Sequence, residues 1–357
     1  MKDDVKDNLA PEEAPPGGIK GLPFCWAFLA YSLAVLVLLF AAGIIINPRA
    51  AFPFAIFEPV VTNSRENKAS LLMSRDFEIS GLILGSSRFF FVDMDELNRL
   101  TGLKIFNLGV SSAHAEDFYA LTRFCLEEAG VKPRLIILGL DDTSFSNRYI
   151  DDGLFDFRHR LFRYLDREHV PSFLFFRRLA PILDINYFVD CYKSVQYYFK
   201  EDKSKDLVFD KYGYYRYPKK DRHIREGTYN LAGEMVSSSP QYLELYKGLQ
   251  GLSPVRKRYF ERFLGLCDKN NIRLIIFSTP VHDEAIGQIN RSSGNFDAIH
   301  QELLAYLWSL RGRHRFEYYD FSRTAYFNGS LQEYYDGIHA TRKNMSRILN
   351  IIFRGKP

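Results

Sequence analysis

Phe24 to Ile46 is a run of 23 residues without a single charge. A helix rises about 1.5 Å per residue, so this run matches a hydrocarbon core of roughly 30 Å. Trp26 and Tyr31 stand near its N-terminal end, where interfacial aromatics are common. Asn47-Pro48-Arg49 ends it. A cleaved secretory signal is the rival reading, but its apolar core is usually only about 7–15 residues and no clear small-residue cleavage site follows here, so a retained anchor is favoured. The expected arrangement is a disordered polar tail (1–23), a retained transmembrane helix (24–46), a juxtamembrane linker (47–76) and a soluble domain (77–357). Lys2, Lys6 and Lys20 before the run and Arg49, Arg65, Lys68 and Arg75 after it are too evenly balanced to set an orientation. Ala51 to Val61 is also apolar, but it is too short to span.

In the soluble part, five short apolar segments read as buried parallel strands: Phe77–Leu84, Leu103–Asn107, Leu135–Leu140, Ile272–Phe277 and Phe316–Asp320. Helical patterns at Ala115–Glu128, Tyr259–Lys269, Phe296–Leu310 and Arg342–Phe353 alternate with them. This alternation predicts an α/β three-layer sandwich, flavodoxin-like, with a five-stranded parallel sheet. Ligands of such sheets collect at the C-terminal ends of the strands. The predicted strands end in Gly85-Ser86-Ser87-Arg88, Asn107-Leu108-Gly109, Gly139-Leu140-Asp141-Asp142, Ser278-Thr279-Pro280-Val281-His282 and Asp320, with Asp336-Gly337-Ile338-His339 following the last. All of these fall on one rim.

The interval from about 144 to 254 interrupts this alternation. It reads as a helical insertion rich in aromatics (FRHRLFRYLDREH, PSFLFFRRLAPIL, DKYGYYRYPKKDRH), either a cap with its own small core or a surface for substrate or partner. The whole chain holds 31 Phe and 22 Tyr, which suits membrane-adjacent or carbohydrate-facing surfaces as well as a core. A net charge of +4 with no basic block argues against nucleic acid as a partner.

Ser87 follows a strand and precedes a turn, where a hydroxyl can meet a base and backbone N–H groups can meet an oxyanion. His339 is the natural base, with Asp336 three residues earlier to orient it. Gly109 N–H is a second candidate oxyanion donor beside that of Ser87. Taken alone, Ser87 reads rather as a loop serine capping a helix, Asp336/His339 equally well as a turn entering a helix, and Gly109 also as an ordinary tight turn. Ser111, in Gly109-Val110-Ser111-Ser112-Ala113, loosely resembles a nucleophile elbow, but only one strand precedes its own. His114 and His282 lack an Asp-x-x-His partner and are weaker candidate bases. The histidines lack metal-ligand spacing, and no cofactor is expected. Of the four cysteines none forms a C-x-x-C pair; Cys125 reads as a buried thiol, and Cys191 and Cys267 could pair in an oxidising compartment.

Taken in order, these blocks resemble the SGNH hydrolases, also called GDSL-type esterases. Gly85-Ser86-Ser87 stands where that family carries Gly-Asp-Ser, Gly109 where it carries an oxyanion-hole glycine, Gly139-Leu140-Asp141 where it carries Gly-x-Asn, and Asp336/His339 where it carries Asp-x-x-His. The resemblance covers roughly residues 78 to 350. It implies a Ser87–His339–Asp336 triad, with Arg88, Asn107, Asp141 and His282 on the substrate rim. Ser86 replaces the aspartate of the first block. Asp141 replaces an asparagine that donates to the oxyanion, and an ionised carboxylate cannot donate; pairing with Arg88 is the expected alternative. With its N-terminal span the chain is similar to membrane-anchored SGNH-like proteins of bacterial cell-envelope polymer acylation. That likeness implies an extracytoplasmic domain with the N-terminus inside. It also implies a polysaccharide or teichoic-acid-like acceptor, with a membrane-bound O-acyltransferase as a fitting partner. The activity expected is that of an esterase or O-acyltransferase; the alternative is a non-catalytic module that binds glycan or an assembly partner.

Overall fold

The structure, a computed structural model, describes residues 21–48, 57, 64–146, 161–166, 185–199, 208–292 and 295–355. The polar tail before residue 21, most of the apolar piece Ala51–Val61 and large parts of the 144–254 insertion, including PSFLFFRRLAPIL, lie outside the described residues.

Seven strands occur among the described residues: β1 (Gly81–Gly85), β2 (Ile105–Asn107), β3 (Leu135–Leu140), β4 (Val208–Phe209), β5 (Tyr215–Arg216), β6 (Arg273–Ser278) and β7 (Glu317–Asp320). Five form one parallel sheet in the order β2-β1-β3-β6-β7. With the β4–β5 hairpin set aside, this is the doubly wound order 2-1-3-4-5. The expected α/β class and parallel sheet are therefore present, with strand bounds shifted by up to four residues at β1.

The inner strands β1 and β3 are apolar and buried along their whole length because both faces are covered. Leu82, Leu84, Ile136, Leu138 and Ile276 point to one face and pack with the helices Ala115–Glu127, Pro254–Lys269 and Phe296–Leu310. Ile83, Ile137, Ile275 and Phe277 point to the other and pack with the helices Met94–Thr101 and Arg342–Arg354. The order of the strands reverses between β1 and β3, so the crevice above their C-terminal ends is where the fold admits a ligand.

Two expected boundaries differ in the structure. The segment 47–76, expected as a linker, contains a helix, Ser64–Met73, whose Ala69 and Leu72 are buried in the sheet domain's core. Arg65 of this helix forms an ion pair with Asp117 at 2.8 Å, both side chains buried. A run of ten mostly polar residues hides this helix, because only its tertiary partners tie it down. The insertion, expected as helical, also carries the β4–β5 hairpin, and the Tyr212 carbonyl in its turn accepts the Asn107 N–H at the end of β2 at 2.8 Å. No disulfide joins any two of the four cysteines, Cys191 and Cys267 included.

Residues Met1–Val60 and Ala180–Tyr198 form a separate unit from the sheet domain. Its described part is the helix Gly21–Ile46, containing the apolar run, and the helix Ile185–Tyr198. Phe40, Ile44 and Ile46 of the first pack against Tyr187, Phe188 and Cys191 of the second.

Candidate active site

β1 delivers Ser87 by a turn that only glycine can start. Gly85 has φ +141°, and a Cβ there would lie 2.6 Å from the carbonyl of Gly139, its register partner on β3. Ser86 then caps the short 3-10 turn Ser87–Phe89 by accepting the Arg88 N–H at 3.1 Å. Ser87 is left half-buried at the first position of that turn.

The Asp336–His339 loop is held in an equally local way. One Asp336 carboxylate oxygen accepts the N–H groups of Ile338 (2.8 Å) and His339 (2.9 Å). The other accepts from His339 Nδ1 at 2.8 Å. A spacing of three residues is what lets one carboxylate bind both the turn's amides and the imidazole. The Tyr335 N–H donates to the His339 carbonyl at 2.8 Å, and a Tyr334–Ala340 bridge closes the loop. The His282 N–H donates to the Gly337 carbonyl at 3.0 Å, tying the loop to the chain after β6.

These two local arrangements meet in space: Ser87 Oγ lies 2.9 Å from His339 Nε2 across 252 residues of chain. A carboxylate only accepts, so in the neutral ring the proton sits on Nδ1 and Nε2 accepts from the serine hydroxyl. Burial would push the Asp336 carboxyl up, but the His339 charge and the hydrogen bonds from His339 and Ile338 outweigh it and hold its pKa down at about 2. Phe91 stands edge-to-face with the His339 ring, 6.1 Å between centres.

The oxyanion side differs from expectation. Gly109 N–H, expected as a donor, is engaged by the Asn107 side-chain carbonyl at 3.0 Å. That carbonyl also accepts from Lys68 Nζ at 3.1 Å, while the Asn107 amide donates to the carbonyls of Phe89 (3.2 Å) and Phe90 (3.4 Å). Two donors on one end and two carbonyls on the other fix the amide's orientation. Asn107 is therefore a bracket between β2 and the serine turn, with no exposure to the rim. The Ser87 N–H has no acceptor among the described residues.

Asp141 faces Arg88, with 3.7 Å between Oδ2 and Nε, and it accepts from the Thr279 hydroxyl. Burial alone would lower the guanidinium's pKa, but Asp141 and then Tyr246 overcome it and raise it. Beyond this pair runs a buried chain. Both terminal nitrogens of Arg88 lie 3.4 Å from the Tyr246 hydroxyl, which reaches Asp142 at 3.5 Å. Asp142 and Asp320 bracket His300 at 2.8 and 3.2 Å. Despite burial, the two carboxylates raise the imidazole's pKa to about 10, so His300 carries a charge at neutral pH. Sequence reasoning misses Tyr246 and His300 because each sits in an ordinary helical pattern, and only the fold brings them under Arg88.

His282 caps the helix Asp283–Arg291 by accepting the Glu284 N–H at 3.2 Å, and its other nitrogen faces the Leu331 carbonyl. Both of its ring nitrogens are thus engaged away from Ser87. His114 is buried at the start of the helix Ala115–Glu127, where burial, with Arg256 and Arg65 nearby, holds its pKa well below the ordinary range. Ser111 is exposed in a turn. Among the described residues no group of His, Cys, Asp and Glu side chains could hold a metal ion. The insertion borders the site: Tyr215 stacks on Phe90 at 4.2 Å, and the Tyr229 hydroxyl donates to the Tyr335 carbonyl at 2.5 Å.

No family model and no curated protein matches the chain. Among solved structures it is similar to a GDSL-like lipase from Bacteroides thetaiotaomicron VPI-5482, with a TM-score of 0.34 and 10% identity over 81% of this chain and 93% of that one. It is also similar to a candidate acylhydrolase from Bacteroides fragilis NCTC 9343, with a TM-score of 0.34 and 10% identity over 82% of this chain and 92% of that one. These likenesses concern the fold.

Proposed function

We propose that the protein is a membrane-anchored serine esterase or O-acyltransferase working through Ser87, His339 and Asp336. The observation that carries this reading is the unbroken hydrogen-bonded path from Ser87 Oγ through the His339 ring to the Asp336 carboxylate, at 2.9 and 2.8 Å. Ser87 Oγ attacks the acyl carbonyl carbon as its proton passes to His339 Nε2. The tetrahedral adduct collapses, the ester C–O bond breaks, and the leaving alkoxide takes the proton back from Nε2. Water or a sugar hydroxyl then repeats the sequence on the acyl-enzyme. Asp336 stays ionised throughout and holds the ring.

The acyl donor and acceptor we favour are cell-envelope polysaccharide or teichoic-acid-like esters, met outside the cytoplasm. An apolar helix fit to span a membrane and an insertion rich in tyrosine around the site support this choice. A retained anchor, rather than a cleaved signal, is supported by the Tyr187 hydroxyl, which donates to the Gly43 carbonyl at 3.0 Å inside a buried contact.

A fluorophosphonate probe tests the reaction. Labelling of the native chain that disappears in Ser87→Ala supports it; labelling that survives in Ser87→Ala overturns it. The engaged Gly109 N–H and the Asp141 carboxylate favour a second reading, a glycan-binding module with a vestigial triad. Native glycan binding with no probe labelling at all would select that reading.

A further inference from the structure

We infer that the helix Ile185–Tyr198 is a membrane-interfacial element, seated in the headgroup boundary at the far end of the apolar helix. The inference rests on Phe24–Ile46 crossing a bilayer.

Position carries the argument. At about 1.5 Å per residue, Phe40 lies some 24 Å along the run from Phe24 and Ile46 some 33 Å, against a hydrocarbon core of roughly 30 Å. Whatever packs on Phe40, Ile44 and Ile46 therefore stands where hydrocarbon gives way to headgroups. Tyr187, Phe188 and Cys191 do so. The contact is specific: the Gly43 carbonyl accepts from both the Asn47 N–H and the Tyr187 hydroxyl, each at 3.0 Å.

The composition of the helix fits that depth. Its sequence, INYFVDCYKSVQYY, holds four tyrosines and only two charges, Asp190 and Lys193, which pair with each other at 3.4 Å. Tyrosine concentrates at membrane interfaces because one end of the ring is apolar and the other wet. Tyr187, Asp190, Cys191 and Ser194 form the buried face at helical spacing. The opposite face exposes Val189 (44%) and Tyr192 (63%) beside Lys193. An exposed strip of Val189 and Tyr192 bordered by the long Lys193 side chain is the pattern of a helix lying in the headgroup boundary.

Depth-dependent fluorescence quenching tests this on the full chain in phosphatidylcholine vesicles carrying bromine at defined acyl positions. The reporter is Tyr192→Trp with Trp26 and Trp308 changed to Phe. The control keeps Trp26, in the apolar helix, as the sole tryptophan. The expected result is loss of Tyr192→Trp emission, strongest with bromines nearest the headgroup, together with a blue shift. Quenching of Trp26 but not of the position-192 reporter overturns the inference and leaves the anchor standing. A blue-shifted reporter that bromine does not quench means a protein partner or second copy covers the face, and also overturns it. If neither tryptophan is quenched, the anchor and the inference fall together.

Discussion

The Asn107 side chain holds the Gly109 N–H at 3.0 Å, turning a donor that an oxyanion would need back into the fold. The proposed triad and its expected oxyanion hole are thus decoupled: Ser87, His339 and Asp336 are hydrogen-bonded in line, while the Gly109 N–H is engaged and the Asp141 carboxylate faces Arg88. Each lost donor in such a site typically costs about 100- to 1000-fold in kcat. On the proposed reaction, slow turnover is the expected outcome, with the Ser87 N–H left as the backbone donor.

Asp336→Asn removes the carboxylate that selects the Nδ1–H tautomer. Turnover of an activated ester should fall by about 10⁴-fold, as for other triads that lose this carboxylate. Ser87→Ala combined with Asp336→Asn should be no slower than Ser87→Ala alone, since the residues act as one unit. Steady-state rates of the three variants check this; additive losses would separate Asp336 from the reaction.

Asp336 also makes stability depend on acid. Its pKa of about 2 in the folded chain, against an ordinary 3.8, corresponds to about 2 kcal/mol of stabilisation. A lowered carboxyl pKa contributes fully above the unfolded value and loses its contribution as pH falls through the folded one. Urea midpoints should therefore drop between about pH 5 and pH 2, and part of that drop should be missing in His339→Ala, which lacks the charge that holds Asp336 ionised.

His300 works at the other end of the scale. With a folded pKa of about 10, against an ordinary 6.5, its charged form is the stabilised one. That contribution is complete below the unfolded pKa and is lost as pH rises through 10. The native chain should lose stability on raising pH from 6 to 10, and His300→Gln should flatten this limb. Thermal midpoints across the range decide it, and an unchanged slope would remove His300 from the account.

Gly85→Ala should destabilise the domain and silence the site together. The residue sits at φ +141°, and its Cβ would lie 2.6 Å from the Gly139 carbonyl. Backbone strain of this kind costs about 1–3 kcal/mol before any clash is counted. Chemical denaturation should show that loss, and probe labelling of Ser87 should fall in the fraction that remains folded.

Asp141→Asn exposes the energetics beneath the rim. It strips a buried arginine of its carboxylate, and breaking such a pair from one side costs about 3–5 kcal/mol. Arg88→Met with Asp141→Asn should be more stable than the sum of the single changes, because no buried charge is left uncompensated. A double-mutant cycle by urea unfolding measures that difference.

Much of the fold is legible in the chain. Leu135–Leu140 and Phe296–Leu310 read as a buried strand and an amphipathic helix and have those bounds, because the unbroken apolar run of the first and the helical repeat of the second are each written in neighbouring residues. The helix Ser64–Met73 and the β4–β5 hairpin are not legible: they are short or polar, and distant partners hold them in place, Asp117 for Arg65 and the Asn107 N–H for the Tyr212 carbonyl.

The same division runs through the site. Residues close in sequence determined its local geometry: Gly85 for the serine turn, and the three-residue spacing that lets Asp336 bind both the His339 amide and the ring. Only the tertiary structure decided that the two turns would meet at 2.9 Å, that Asn107 would take the Gly109 N–H, and that Tyr246 and His300 would stand beneath Arg88. Periodicity and turn chemistry are encoded within a few neighbouring residues. The partner of a buried donor or charge is set by which distant segments the packed sheet brings together, and no short stretch of sequence carries that information.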